Sequence, residues 1–179
     1  GLKQNRLDGL KFNSGIFTNL SQDHLDYHKN LNDYLNAKLY LFRNLINKKG
    51  NIITDDEIPE FKIINKIAKK KRLKIITLND KKNNLRILSH TFKGEIQLLK
   101  IIHNNSIREI NLNLIGKIQL KNILMAIFAA KKNINLKKNI NNIEKVKSVE
   151  GRLEKIGKIK KKKKIILDYA HTPEALKTC

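Results

Sequence analysis

The N-terminal part of the chain alternates short apolar runs with stretches whose apolar side chains recur at helical spacing. The runs "SGIFTN" (Ser14–Asn19), "GNIIT" (50–54) and "LKIITLN" (73–79) are bounded by turn-forming residues, which is typical of buried strands. Between them, Asn32–Ile46 carries apolar residues three and four positions apart, and 59–72 begins with proline, which favours a first helical turn. Strands that alternate with helices in this way predict an α/β fold with a mostly parallel sheet.

The first predicted helix carries a lysine near its apolar face. Asn32 is a candidate N-cap, and Asp33 places a negative charge where the helix dipole favours one. Lys38 lies close to Leu35 and Leu39 in the helical pattern. An unpaired buried ammonium group is costly, so this side chain either extends to solvent or has a chemical role.

The pattern changes in the middle of the chain. Residues 84–115 alternate apolar and polar side chains, which predicts three short antiparallel strands. The polar stretch His103–Ser106 interrupts this alternation and predicts a hairpin. Helical spacing returns over 117–132 and again over 136–149.

A strand–strand–helix pattern begins after Val149–Gly151, and we place a domain boundary there. The predicted domains are 1–149 and 150–179. The lysine run Lys160–Lys164 predicts a solvated turn between two strands of the second domain, and anion binding is the alternative. The elements predicted in this domain are strands over 152–158 and 163–170 and a helix over 172–177.

The net charge of +22 would suit a polyanionic partner. However, lysine, asparagine and isoleucine are used heavily throughout the 179 residues, as in an AT-rich coding sequence. The basic residues are spread along the chain without the interleaved aromatic residues of an RNA-binding motif. Compositional bias therefore explains the charge better, and nucleic-acid binding is the alternative.

Cysteine content and hydropathy limit where the chain can function. The single cysteine, Cys179, excludes a disulfide within the chain, which fits a reducing compartment. No apolar run is long enough to cross a membrane. Because the sequence lacks an initiating methionine and stops within a predicted helix, we expect a fragment of a longer protein.

The loop that follows the first predicted strand collects metal-ligating side chains. Ligands in α/β sheets bind at the carboxyl ends of strands, where the loop 20–29 is expected to lie. Histidine and carboxylate groups together suit a divalent metal ion, although a lone histidine is more often structural. The candidate groups of this loop are Ser21, Asp23, His24, Asp26 and His28.

Several motifs then resemble one known family in the same order along the chain. "FTNLSQDHLDYH" followed by "YLNAKLYLF" resembles the central domain of the Mur ligases, and the MurE type is the nearest match. "GLKQNRLDGLKF" and "GKIQLKNILMAI" resemble further parts of that domain. "GRLE" and "LDYAHTPEAL" resemble the start of the Rossmann-like C-terminal domain of the family. The resemblance therefore implies the later part of an ATP-binding central domain, with a parallel sheet and a small antiparallel sheet.

The resemblance implies roles for individual residues. His24 and Lys38 would be catalytic and would support magnesium, His24 as a ligand and Lys38 as a carbamate. The implied nucleotide-binding residues are Asn19, Asn122, Arg152 and Asp168. The implied substrate-binding residues are Gln4, Arg6, Tyr169 and His171.

The implied activity is ATP-dependent amide ligation in peptidoglycan precursor synthesis. A carboxylate of UDP-MurNAc-L-Ala-D-Glu would form an acyl phosphate, and meso-diaminopimelate or L-lysine would then displace phosphate. Magnesium would screen the approaching anions. The implied enzyme is a cytoplasmic monomer that binds neither membrane nor nucleic acid.

Some features depart from the family pattern. Ile118 and Gln119 stand where an aromatic residue or histidine followed by asparagine is common, Glu150 replaces a usual proline, and Lys29 replaces a usual glycine. No G-x-x-G-K-[ST] phosphate loop occurs in the sequence, and the family carries it upstream. We therefore expect this chain alone to be inactive. Three further interpretations stay open: a different Mur ligase, a folylpolyglutamate synthetase relative and a decayed product.

Overall fold

A computed structural model describes residues 2–4, 6–21, 28–82, 85–93, 96–103, 105–130, 142–159 and 163–178. The chain divides into two compact units. Unit 1 comprises 1–78 with 124–132, and unit 2 comprises 79–123 with 133–179.

Unit 1 contains a parallel three-stranded sheet. Its strands lie in chain order: β1 (Phe12–Phe17), β2 (Ile46–Thr54) and β3 (Lys74–Thr77). Helix α1 (Leu31–Tyr40) lies between the first two strands in sequence, and α2 (Phe61–Lys71) between the second and third. The alternating pattern of the sequence is thus confirmed, because each parallel pairing needs a crossover, here a helical one. The buried core members are Phe17, Leu39, Phe42, Ile52, Ile64, Ile67, Ala68 and Leu73.

Helix α1 differs from its prediction at both ends. Its N-cap is Asn30, whose side chain accepts a hydrogen bond from the Asp33 main-chain N–H at 2.9 Å, so the prediction of Asn32 was wrong. The α-helix ends at Tyr40, and Leu41–Leu45 form one π-helical segment. Ile46 belongs to β2, where it pairs with Phe12 of β1. Strand pairing therefore overrides the helical spacing of this residue.

The predicted strand positions shift by a few residues. Strand β1 begins and ends two residues before the predicted Ser14–Asn19, and β2 begins at Ile46 rather than at Gly50. Gly50 lies inside β2, where a Cβ atom would come within 2.9 Å of the main-chain oxygens of Asn13 and Asn47. The backbones therefore approach closely at a point that only glycine fills without displacement.

We expect Gly50→Ala to lower the free energy of unfolding by about 1–3 kcal/mol, because backbone oxygens cannot move aside cheaply. Gly157→Ala is the matched control, since its Cβ would meet only the Ile165 side chain at 3.7 Å. Urea denaturation followed by circular dichroism measures both variants. Equal stability of the two variants would contradict the close approach.

Unit 2 contains two antiparallel sheets. The first is formed by β4 (Leu85–Lys93), β5 (Ile96–His103) and β6 (Ser106–Leu112), which confirms the predicted three strands. The predicted hairpin is confirmed by the pairing of His103 with Ser106, and Asn105 has a positive φ of 64°. The second sheet pairs β7 (Glu154–Ile159) with β8 (Lys163–Leu167).

Helix α3 (Lys117–Ala130) begins in unit 2 and its second half belongs to unit 1. Helix α4 (Pro173–Thr178) follows β8, as predicted. In the described part of the helix predicted over 136–149, Asn142 is α-helical and Ile143–Lys145 form a 3₁₀ turn, whereas 146–149 are not helical, so the predicted helix extends too far. Residues 136–141 of that prediction lie outside the described residues.

The predicted lysine turn is only partly described. Lys163 and Lys164 belong to strand β8, so the prediction of a turn was wrong for these two residues. Residues 160–162 lie outside the described residues. Within the ranges that the structure describes, no helix is long and apolar enough to cross a membrane.

Candidate functional site

Polar groups gather where the parallel strands of unit 1 end. Phe17 and Thr54 are in register, and the Thr54 hydroxyl donates a 2.9 Å hydrogen bond to the Phe17 main-chain oxygen. Asp55 follows directly and is 2% exposed; its carboxylate accepts a hydrogen bond from the Glu57 main-chain N–H at 3.0 Å. The carboxyl edge of the sheet therefore holds a buried acid beside the end of β1, the usual position of a ligand site in such sheets.

The ammonium group of Lys38 reaches this edge from helix α1. Its Nζ atom donates a 2.8 Å hydrogen bond to the main-chain oxygen of Asn19, two residues beyond β1. The same atom lies 4.6 Å from the centre of the Tyr34 ring and 5.6 Å from that of Phe17. Lys38 is half-buried. The structure thus places two of the candidate residues, Asn19 and Lys38, in direct contact.

The remaining candidates of the loop are described only in part. His28 is 7% exposed; its Nδ1 atom lies 3.4 Å from an Asp33 carboxylate oxygen and its ring stacks on Tyr34. His24, Asp23 and Asp26 lie outside the described residues. Among the residues that are described, no group of three or more His, Cys, Asp or Glu side chains is arranged to hold a metal ion.

Asp55 was not predicted from the sequence. The signal was present, because the acidic stretch "TDDE" directly follows a buried strand of a predicted parallel sheet. This stretch leads to the same edge of the sheet as the loop after the first strand, because all parallel strands end there. The structure adds that Asp55 is buried, which the sequence does not reveal.

Gln4 and Arg6 lie at the N-terminal end of unit 1 and are exposed. The segment that follows them contacts helix α1 through Asp8. The Tyr40 hydroxyl donates a 3.1 Å hydrogen bond to a carboxylate oxygen of Asp8. This hydrogen bond, with a smaller contribution from desolvation and from the Asp8 charge, raises the pKa of Tyr40.

Unit 2 brings together four candidates around the turn before β7 and the end of β8. The Asp168 carboxylate accepts hydrogen bonds from the main-chain N–H groups of Leu153 at 2.6 Å and Ala170 at 2.8 Å. The Arg152 guanidinium lies 5.0 Å from the centre of the Tyr169 ring, and the His171 ring meets Tyr169 edge-on at 5.0 Å. Asp168 thus holds the backbone at Leu153 and Ala170 in place. The neighbouring side chains, the Arg152 guanidinium and the rings of Tyr169 and His171, are exposed.

Helix α3 contributes to the same unit. The Gln119 side-chain amide donates a 3.2 Å hydrogen bond to the main-chain oxygen of Arg152. Asn122 lies three residues further along the helix and is exposed. Residues three apart share a helix face, so Asn122 and Gln119 lie on the same side of α3.

We expect Asp168→Ala to lower the free energy of unfolding by about 1–3 kcal/mol, because two backbone donors lose their acceptor. Asp168→Asn retains one carbonyl oxygen and should cost less than the alanine variant. Thermal unfolding of both variants measures the difference. If Asp168→Ala unfolds at the same temperature as the wild type, these hydrogen bonds contribute nothing to the free energy of unfolding.

Comparison with known proteins assigns the family. The sequence model of the Mur ligase middle domain matches residues 1–130. The chain belongs to the Mur ligase family. Among curated relatives of this Mur ligase chain is the UDP-N-acetylmuramoyl-L-alanyl-D-glutamate–2,6-diaminopimelate ligase of Rickettsia bellii (strain RML369-C), which is 36% identical over 180 residues.

Coverage and structural likeness agree with this assignment. The Rickettsia match covers 98% of this chain but 36% of the relative, so the Mur ligase chain spans about a third of that length. A solved diaminopimelate ligase structure superimposes with a TM-score of 0.75 at 26% identity, covering 99% of this chain and 37% of its own. A complex of FPGS with AMPPCP shares the fold, with a TM-score of 0.71 at 16% identity over 96% of this chain and 42% of its own.

Proposed function

We propose that this Mur ligase chain is part of an ATP-dependent amide ligase that adds diaminopimelate to UDP-MurNAc-L-Ala-D-Glu. The observation that carries the proposal is the likeness to a named diaminopimelate ligase across 98% of this chain. In the proposed reaction a substrate carboxylate attacks the γ-phosphate of ATP and ADP leaves. The amine of diaminopimelate then attacks the acyl phosphate, and an amide forms as phosphate departs.

In this proposal the carboxyl edge of the unit 1 sheet supports the phosphate chemistry. The Asp55 carboxylate at this edge is an oxygen donor of the hard type that magnesium prefers. Magnesium would supply the positive charge that screens the anionic reactants. Lys38 fits as a ligand only after carbamylation, because an ammonium group repels a cation. His24 is proposed as a further ligand, and Asn19 as an ATP-site residue.

The candidates of unit 2 are proposed to bind nucleotide and substrate. Arg152 presents an exposed guanidinium, which suits a phosphate group. Asp168, whose carboxylate accepts hydrogen bonds from two backbone donors, is proposed to contact the nucleotide. Asn122 is proposed at the adenine. The proposed contacts to the UDP-muramoyl-peptide are Gln4, Arg6, Tyr169 and His171.

The proposal also covers the domain organisation of the chain and the cellular location of the enzyme. We assign 1–149 to the central ATP-binding domain and 150–179 to the start of the C-terminal domain. The enzyme is placed in the cytoplasm, which supplies ATP and a nucleotide-linked precursor, and it acts as a monomer.

Isothermal titration with ATP and magnesium tests the proposal on the protein translated from the complete reading frame. The ligase proposal expects magnesium-dependent nucleotide binding that Arg152→Ala weakens, while the exposed helix residue Lys62→Ala leaves it unchanged. Absence of nucleotide binding would overturn the proposal. Salt-dependent binding of RNA in its place would favour the nucleic-acid interpretation that the charge of +22 suggests.

A further inference from the structure

A basic cavity of about 300 Å³ lies in unit 1, where the π-helical segment before β2 packs against helix α2. Its lining residues are Arg43, Asn44, Ile67, Lys70 and Lys71. Ile67 is 8% exposed and gives the cavity an apolar wall, whereas Lys70 and Lys71 are exposed. Cations are therefore prominent in the lining, and in the part of the chain that the structure describes no carboxylate contributes to it.

Lys70 and Lys71 are not needed to cap the helix on which they lie. The end of α2 is capped by the main chain, because the Leu73 N–H donates a 2.9 Å hydrogen bond to the Ala68 oxygen. The helix dipole places only about half a negative charge at this end, whereas all residues of 69–72 are basic. Positive charge is thus left over at Lys70 and Lys71, and among the described residues neither forms an ion pair.

Arg43 presents a guanidinium group that is held on one side. Its Nη1 atom donates a 3.2 Å hydrogen bond to the Asn36 side-chain oxygen, and the residue is half-buried. A guanidinium group has five N–H donors, so this bond leaves most of them for a ligand in the cavity. The main-chain oxygen of the adjacent Asn44 already accepts a 2.7 Å hydrogen bond from Lys11. The bias of the chain towards lysine does not explain an arginine at this position.

The topology of unit 1 concentrates positive charge on the side of the sheet where the cavity lies. Helix α2 follows the acidic stretch 55–57 at the carboxyl end of β2 and ends in the basic stretch 69–72 before β3 begins. Lys11 precedes β1, and Lys48 and Lys49 lie in the first half of β2. A surface whose charges are mostly positive raises the local concentration of anions. The cavity therefore lies at the opposite edge of the sheet from the carboxyl edge.

From these observations we infer that the basic cavity is a binding site for a small phosphorylated anion of the phosphate or diphosphate class. The planar guanidinium of Arg43 can donate two parallel hydrogen bonds to phosphoryl oxygens, and Lys70 and Lys71 supply compact charges beside it. A phosphoryl group carries about two negative charges at neutral pH, so it matches several cations better than a single carboxylate does. The site is independent of the proposed ligase reaction, which is placed at the carboxyl edge.

Equilibrium dialysis with radiolabelled diphosphate tests the site on the protein of the complete reading frame, at constant ionic strength and with EDTA present. Saturable binding is expected. Arg43→Gln should weaken it by about tenfold or more, because a hydrogen bond to a charged group is lost. Lys70→Gln and Lys71→Gln should each weaken it by about two- to fivefold. Lys62→Gln is the matched control, because it removes the same charge from an exposed position at the start of α2 and should leave binding unchanged.

The two lysine variants change only exposed side chains, so the test stands even if Arg43→Gln unfolds, which circular dichroism would show. The proposal is overturned if diphosphate binding is not saturable, or if the lysine variants bind it like the wild type. Equal weakening by Lys62→Gln would also overturn it, because net charge alone would then explain binding. Binding of a single-stranded oligonucleotide without binding of diphosphate would replace it with a nucleic-acid surface.

The cavity and the proposed ligase site can fail separately. Folded Arg43→Gln should bind ATP with magnesium like the wild type, because Arg43 is not among the residues proposed for the nucleotide. Loss of diphosphate binding with retained ATP binding supports a separate site. Absence of diphosphate binding in the wild type would leave the magnesium-dependent ATP titration of the proposed function standing.

Discussion

Lys38→Ala is expected to lower kcat of the ligase by about a hundredfold when the variant is made in the complete reading frame. Lys38 contacts the main-chain oxygen of Asn19, two residues beyond β1, at the edge of the sheet where the buried Asp55 also lies. Loss of this side chain removes a proposed magnesium-supporting group from the site. Steady-state measurement of phosphate release with UDP-MurNAc-L-Ala-D-Glu and diaminopimelate gives the ratio of kcat between the wild type and the variant.

Chemical rescue identifies the form in which Lys38 acts. If the working group is the carbamate, a small carboxylate such as propionate should restore part of the activity of Lys38→Ala, because it replaces the missing negative oxygens. If the ammonium itself acts, an alkylamine should rescue instead. Lys62→Ala is the matched control and should retain wild-type kcat. Full activity of Lys38→Ala without any addition would contradict the proposed role.

Phe42→Ala is expected to lower the free energy of unfolding by about 3–5 kcal/mol, the range for a large aromatic residue removed from a core. Phe42 is 2% exposed and lies in the π-helical segment between α1 and β2. Its ring centre is 6.2 Å from that of Phe17, and a Cβ on Gly15 would come within 2.8 Å of its Cε1 atom. A large cavity would thus open against β1.

Urea denaturation monitored by circular dichroism measures this loss. Phe92→Ala is the control, because Phe92 is 63% exposed and exposed substitutions usually change stability by less than about 0.5 kcal/mol. A similar change in both variants would contradict the assignment of Phe42 to the core of unit 1.

The order of elements in unit 1 was predictable because its signals are local. Buried strands bounded by turn formers and helices with regular apolar spacing need no tertiary information. The end of the helical stretch was not predictable, because Ile46 continues the helical spacing while its β-branched side chain also suits a strand. The pairing of Ile46 with Phe12, far apart in sequence, decides between them. Asn30 and Asn32 are likewise equal as caps until the hydrogen bond to Asp33 is known.

The candidate site was predictable to a smaller extent. Lys38 was expected near the apolar face of its helix, and the structure adds its contact with the main-chain oxygen of Asn19. The contacts of the Lys38 Nζ atom with the rings of Phe17 and Tyr34 depend on the directions of these side chains, which sequence spacing does not specify. The burial of Asp55 depends on neighbouring strands and was missed for the same reason.

The most direct test of the ligase proposal is the product formed by the protein of the complete reading frame. That protein, incubated with ATP, magnesium, UDP-MurNAc-L-Ala-D-Glu and diaminopimelate, is analysed by mass spectrometry. The proposal predicts a UDP-MurNAc-tripeptide that contains diaminopimelate, with one phosphate released for each amide formed. Absence of this product under conditions in which a known diaminopimelate ligase forms it would contradict the proposal.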